Sequence, residues 1–481
     1  MERRTAAAGG CRRVDRCRGQ ARAAATGDRP GTAQRNRPRL FGIVRSGLRR
    51  PEARADDAGA TLPPGGREDL DALEKADRTA LIKRANVFGP IFTGISHGEL
   101  CVVIMGLQRG RRVLIEHAPD MRPWALDATS LVPKGVLRHM QGADHLDYRR
   151  PLVRAAKGRD PVEENAILER VMRHHLNEFV QRGEPTPRGL MTTASAIATS
   201  ALVALFFGVE PGSDDARLLV DGYRELGPYG LAWNIGPPQR TAFGVIRTLL
   251  REALEARRRG SGAMSDRCVL AQVAKETSGD VDETMLGNLI YAVEIGRMDV
   301  ANQLRWITRY AASNPAMLDA ISAEAATGIA GERSLAEAFA LEELRSDQTE
   351  RLTRVAQRDF EFDGYLIPAG SHVRICLWEA HQDPETFADP QRFDPSRFVG
   401  PLPSNDQYAP FGVDHHQCPF GVTGVRIGSV FVRLLATEFR PTLISDGPPV
   451  RGAYHWEASR RLAVHLERVT NSRPETTGHR S

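Results

Sequence analysis

The sequence predicts a mainly α-helical fold carrying a few small β-sheets. Three observations lead there. Long segments with helical apolar periodicity fill the chain after residue 145, strand-like runs are short and few, and the composition is that of a globular protein. The 481 residues are 41% hydrophobic and 26% charged, which excludes collagen-like, coiled-coil and wholly disordered chains. That length suits one large domain or two to three ordinary ones.

The first stretch differs from the rest. Residues 1–60 hold fifteen Arg, no Lys and six acids, a net of +9, while the whole chain sums to +5. The remainder therefore carries −4, and the overall basicity gives no support to nucleic-acid binding. Residues 1–70 are rich in Arg, Ala, Gly and Pro and poor in large apolar residues. They cannot offset the entropy of ordering and are expected to form a disordered leader. A globular domain over 71–467 and a polar tail over 468–481 complete the expected organisation. No run reaches the ~18 apolar residues that span a bilayer, so no integral membrane anchor is expected. Six cysteines without a CxxC pair indicate a reducing compartment, hence a cytoplasmic location.

Along the domain, ELCVVIMG and RRVLIEHA read as strands. HLDYRRPLVRAA, NAILERVMRHHLNEFVQRG and RTAFGVIRTLLREALEARRR read as helices. DETMLGNLIYAVEIGRMDVANQLRWITRYAAS places Leu286, Leu289, Ile290 and Val293 at the spacing of a buried helix face. Strand-like runs return in RDFEFDGYLIPAGSHVRICLW. Cys101, Cys268 and Cys376 read as inert apolar side chains. Cys418 differs, because YAPFGVDHHQCPFG frames it with turn residues at the mouth of a helical run. A helix N-terminus favours a thiolate, and a thiolate on a Gly/Pro loop suits metal ligation.

Here the chain resembles the cytochrome P450 family. Phe411, Gly412, His416 and Cys418 stand in register with the family's FGxGxHxCxG loop. ALEELRSDQTERLTR carries an ExxR pair as Glu342 and Arg345. EAHQDPETFADPQRFDPSRF contributes Arg397, and GADHLDYRRPLV carries HxxxR as His145 and Arg149. YLIPAGSHV and VFGPIF fit in order, so the resemblance spans roughly residues 85–440. It implies the cytochrome P450 fold and a haem b cofactor whose iron takes the Cys418 thiolate. It implies that His145, Arg149, Arg354 and His416 hold the propionates, with Phe411 part of the cofactor-binding loop. Glu342, Arg345 and Arg397 are then a structural ion cluster.

The chain departs from the family pattern in three places. Asp414 replaces the second Gly of FGxG, a change that turn-tolerant Asp should accommodate. Phe420 replaces the Gly two residues after Cys418, a role Gly421 could take over. On the long helix, Gly296 aligns with the family's Gly, Met298 with the acid and Asp299 with the threonine that relays protons to dioxygen. Met298 cannot relay a proton; Asp299 can, and Glu294 is a weak substitute. Gly296 and Asp299 are thus the catalytic candidates.

The resemblance implies a monooxygenase acting on a small apolar or aromatic substrate, in specialised metabolism, with ferredoxin and ferredoxin reductase as redox partners. Loss of the standard acid–alcohol pair keeps open peroxygenation, coupling, rearrangement or dehydration, and also a non-catalytic haem-binding protein. In DGYRELGPYGLAWNIGPPQR, Tyr223, Tyr229 and Trp233 are expected either to stack on a ligand or to pack in the core.

Overall fold

A computed structural model describes residues 60–124, 127–183, 185–227, 231, 235–262, 264–328, 332–348, 352–452 and 455–469. The leader expectation therefore falls mostly outside the described residues, as do Tyr229, Trp233 and the tail beyond residue 469. Residues 60–70, assigned to the leader by composition, are built into the domain. Pro64 O accepts from Thr93 N–H at 2.7 Å, Glu68 O accepts from Ile95 N–H at 2.8 Å, and Leu70 is fully buried. The composition of that stretch is polar, but Pro63 and Leu70 are buried and seat it on the domain.

Helices α1 (Leu70–Ala76) and α2 (Ala80–Phe88) lead into a five-stranded sheet. Its order is β1 (Ile91–Ser96), β2 (Glu99–Met105), β7 (His372–Cys376), β4 (Leu352–Ala356) and β3 (Met121–Pro123). Only β2–β7 is parallel among these pairings, with Cys101 opposite His372 and Met105 opposite Cys376. Strands β5 (Phe360–Phe362) and β6 (Tyr365–Ile367) form a separate hairpin. The run RRVLIEHA is not a strand: it closes helix α3 (Leu107–Glu116), whose Leu107, Gly110, Val113 and Leu114 are buried at helical spacing. Gly106, at φ 90°, ends β2 and lets the helix start.

The helical part comprises α4 (Gly142–Lys157), α5 (Pro161–Arg182), α6 (Pro187–Phe207), α7 (Asp214–Leu226), α8 (Pro237–Arg258), α9 (Val269–Glu276), α10 (Glu283–Ser313), α11 (Pro315–Thr327) and α12 (Leu335–Glu343). Side-chain caps start several of them: Asp160, Thr186, Asp282 and Ser334 each accept a backbone N–H of the first turn. Leu286, Leu289, Ile290 and Val293 of α10 are all fully buried, as their spacing predicts. Helix α6 is long and apolar enough to cross a membrane by length and composition, a stretch longer than the sequence reading allowed. Yet 72% of its apolar window is buried inside the protein. The chain closes with α13 (Leu377–Ala380), α14 (Gly421–Thr437), the pair β8 (Phe439–Ser445) and β11 (Ala463–Arg468), and the short pair β9 (Val450–Arg451) and β10 (Trp456–Glu457).

Leu70 locks this N-terminal edge, because a Cβ at Gly94 would lie 2.5 Å from its side chain. Leu70→Ala should therefore cost about 2–5 kcal/mol in denaturant unfolding. Leu62→Ala, at a side chain 52% exposed, should stay within about 0.5 kcal/mol. Equal losses at both positions would show that residues 60–70 do not seat as described.

Candidate active site

The cysteine loop is held from below by a buried ion cluster. Glu342 lies in the last turn of α12 and Arg345 follows in a π-turn over Leu344–Gln348; both are completely buried. Arg345 grips the carboxylate through two bonds, Nε to Oε2 at 2.7 Å and Nη2 to Oε1 at 2.8 Å. Its remaining donors reach the carbonyls of His381 and Pro390, each at 2.9 Å. Asp394 N–H donates to Glu342 Oε1 at 2.8 Å, and Arg397 Nε lies 3.5 Å from the same oxygen. The expected three-residue cluster is thus assembled. It reaches the loop through His381, whose imidazole burial and the Arg345 charge push down to about 3. Neutral, His381 accepts the Ala409 N–H at Nε2 (3.0 Å), while the Tyr408 hydroxyl donates to Leu341 O at 2.7 Å.

From there the loop turns at Gly412, whose φ of 101° suits glycine, and Cys418 N–H donates back to Phe411 O at 3.0 Å. Cys418 is exposed, three residues before α14. A Cβ at Gly421 would come within 2.8 Å of the Phe411 ring, so the close approach between helix and loop rests on Gly421. Phe420 turns away onto Phe206, with ring centroids 4.7 Å apart.

Beside Cys418 stands a rim of nitrogen donors. Arg149 Nη2 donates to Gln417 O at 2.6 Å. One turn earlier on α4, buried His145 packs against His416 at 4.3 Å and His415 at 5.2 Å. Burial and the neighbouring positive groups push His145 down to about 4. His416 donates from Nε2 to Met140 O at 2.9 Å. His145 Nε2 and His416 Nδ1 are buried without a hydrogen-bond partner, which marks a place where further polar groups are expected. His415 was not singled out by the sequence, because its position in the loop motif is a variable one.

Asp414 behaves differently from its expected role. It has no positive φ. Its side chain acts instead: Oδ1 accepts the His416 N–H at 2.8 Å, and Oδ2 accepts from Arg354 Nη2 at 2.5 Å. Both side chains of this ion pair are under a tenth exposed. Although burial alone would raise it, hydrogen bonding from His416 and the Arg354 charge hold the Asp414 carboxyl well below the usual range. Arg354, expected to face a propionate, already has its charge matched inside the protein.

On α10, Ala292, Ile295, Gly296 and Asp299 are only partly buried, while Val293, Glu294 and Val300 are buried. The spacing i, i+3, i+4, i+7 is one accessible helix face, and Met298 beside it is partly buried as well. Glu294 is spent on Arg297, at 2.8 Å, and does not join this face. His455 Nδ1 lies 3.5 Å from Asp299 Oδ1; nothing local in the sequence marks this histidine. Tyr223 proves to be core: it is fully buried, and its hydroxyl donates to Ile290 O at 3.2 Å.

Comparison with known proteins agrees with this geometry. The family model described as Cytochrome P450 matches residues 300–435, a span that contains Glu342, Arg345, Arg354, Arg397 and Cys418. An abscisic acid 8'-hydroxylase of Solanum lycopersicum is 26% identical over 425 residues, covering 81% of this chain and 87% of the relative. Abscisic acid 8'-hydroxylase 3 of Oryza sativa subsp. japonica is 26% identical over 451 residues, covering 87% and 89%. Among solved structures, cytochrome P450EX alpha with myristic acid superposes with a TM-score of 0.64 at 19% identity, covering 85% of this chain and all of that one. Cyanobacterial CYP120A1 with retinoic acid gives 0.64 at 18%, with the same coverage.

The Asp414–Arg354 pair yields a direct test. Asn tolerates turns as well as Asp does and keeps its shape, so Asp414→Asn changes little but charge. Leaving Arg354 buried and unmatched should cost about 3–5 kcal/mol in chemical denaturation. An Asp414→Asn protein as stable as the parent would mean that the residue serves only the turn.

Proposed function

Because the chain belongs to the cytochrome P450 superfamily, a family of haem-iron monooxygenases, we propose that it hydroxylates a small apolar substrate at a haem b bound through Cys418. The observation that supports this most is the placement of Cys418 on a loop pinned by the Glu342–Arg345–Arg397 cluster and flanked by His145, Arg149 and His416. The rim fits the cofactor's two propionates. Carboxylates need N–H donors and positive charge; Arg149 supplies the charge and the buried, unpartnered Nε2 of His145 a place for a donor. When bound, the haem supplies dioxygen activation, with the thiolate donating electron density to iron.

The chain's own residues do the rest. Cys418 supplies the thiolate, and Phe411 under Gly421 sets how closely α14 approaches it. On the accessible face of α10, Ala292 and Ile295 offer apolar contact to the substrate, and Gly296 keeps that surface low. Asp299 holds the exchangeable proton of this face and delivers it from a carboxyl oxygen, a task Met298 cannot perform. Electrons come from a redox partner, which we take to be a ferredoxin with its reductase. The relatives and neighbours named for abscisic, myristic and retinoic acids suggest an apolar body ending in a carboxylate as the first substrate class to screen. A ligand-induced shift of the haem spectrum across such acids, with neutral analogues as controls, identifies it.

A second reading rests on Met298. With the usual acid missing, turnover driven by peroxide, or without reductant, replaces turnover driven by oxygen and reductant. Supplying each oxidant separately decides between the readings.

Two outcomes are expected. Reduced protein with carbon monoxide should show the red-shifted Soret band of thiolate ligation, and Cys418→Ala should abolish it; persistence of the band in the variant refutes the ligand assignment. Asp299→Asn should slow oxygen-dependent turnover by roughly 10²–10⁴-fold with normal haem content, the usual range for a lost general acid. Asp299→Thr should recover part of it. Unchanged turnover in the Asn variant would remove Asp299 from proton delivery.

A further inference from the structure

We propose that His455 is a positioning residue for Asp299, fixing the carboxyl that faces the accessible side of α10; this rests on Asp299 acting as the distal acid. Its Nδ1 lies 3.5 Å from Asp299 Oδ1, and the imidazole is 2% exposed while the Asp299 side chain is 38% exposed. The histidine is thus the buried, immobile member of the pair and the carboxyl the accessible one. That asymmetry is what a supporting contact behind a reactive group requires.

The segment carrying His455 is bolted to the same helix. Asn302 Nδ2 and Trp306 Nε1 both donate to Trp456 O at 3.0 Å, and Ala458 N–H donates to Asn302 Oδ1 at 3.0 Å. Arg305 Nη2 donates to the carbonyls of Ala458 and Ser459, each at 2.7 Å. Asn302 and Trp306 stand three and seven positions after Asp299, on the face that meets this segment. From the other side, Gly452 N–H donates to His455 O at 3.0 Å, and the Trp456 ring takes the Arg78 and Arg451 guanidiniums at 5.1 and 5.3 Å. The carbonyls of His455 and Trp456 are therefore both anchored, which holds the backbone on the C-terminal side of the imidazole in place. An Asp at this position has more rotamer freedom than the β-branched threonine of the family pattern. A fixed imidazole removes that freedom and holds one carboxyl oxygen, leaving the other toward the accessible side.

The test reads the distal surroundings without turnover. In haem-loaded, reduced protein with carbon monoxide, the C–O stretching frequency reports nearby polar groups. Asp299→Asn and His455→Leu should each shift it, and the double variant should shift it no further than the larger single. In turnover, His455→Leu should lower kcat by ~10–100-fold, the range for a supporting partner, with KM little changed. A shift with Asp299→Asn but none with His455→Leu overturns the proposal while leaving Asp299 in its role. No shift with either variant overturns both. Should His455→Leu fail to fold, two polar variants decide. His455→Asn keeps a donor near the Nδ1 position and should retain more of kcat than His455→Gln, which places its donor further out. Equal loss in both overturns the proposal.

Discussion

Two opposite charges with no contact with solvent organise the proximal half of this protein. Glu342 and Arg345 are each 0% exposed, so neither can be neutralised by water, and each depends on the other and on the carbonyls around it. An unmatched partner would leave a buried charge, which is why such pairs define a unique arrangement even where they add little net stability. Further donors of Arg345 reach the Ser346 hydroxyl and backbone carbonyls that lie between α12 and the cysteine loop. The carbonyl of His381 is one of them, and the same residue's ring accepts the Ala409 N–H two residues before Phe411. The charge pair therefore dictates where the loop begins. Gly412 and the Phe411–Cys418 backbone bond dictate where it goes next.

The rim beside Cys418 shows how one substitution redistributes charge. Glycine at position 414 would leave the buried Arg354 without its carboxylate partner. Asp414 instead claims it at 2.5 Å and also ties down the His416 backbone. What remains for an incoming carboxylate is Arg149 and the imidazoles of His145 and His415, which burial pushes toward the neutral form. Neutral imidazoles still donate hydrogen bonds, so the rim keeps its donors while losing one fixed charge.

How much of this was legible beforehand depends on how local each signal is. The buried face of α10 was readable because helical periodicity repeats within a few residues, and Glu342 with Arg345 because a separation of three is one helical turn. RRVLIEHA misled for the same reason: a run of three apolar residues, Val113 to Ile115, fits strand and helix alike, and only Leu107 and Gly110 upstream complete the helical stripe. Tyr223, open in the sequence to ligand stacking or to core packing, is core: Phe207 and Ile290 enclose it. Asp414 with Arg354, and Asp299 with His455, join residues far apart in the chain. No spacing rule connects them, and only the packing of β4 on the loop, or of the 455–459 segment on α10, brings them together.

The two unusual aspartates show how surroundings give one residue type opposite uses. Asp414 is 3% exposed with a guanidinium in contact, so its proton is excluded and its charge is fixed. Such a carboxylate can bind and brace but cannot cycle. Asp299 is 38% exposed, its neighbour is an imidazole at 3.5 Å rather than a permanent cation, and its helix face is otherwise apolar. A carboxyl in that setting is not clamped by a fixed cation, which is what the proposed donor role asks of it. Substituting one Asp for the other's environment would abolish both uses. The same side-chain type is a clasp on the cysteine side, matched by arginine, and a partly exposed carboxyl beside a histidine on the helix side.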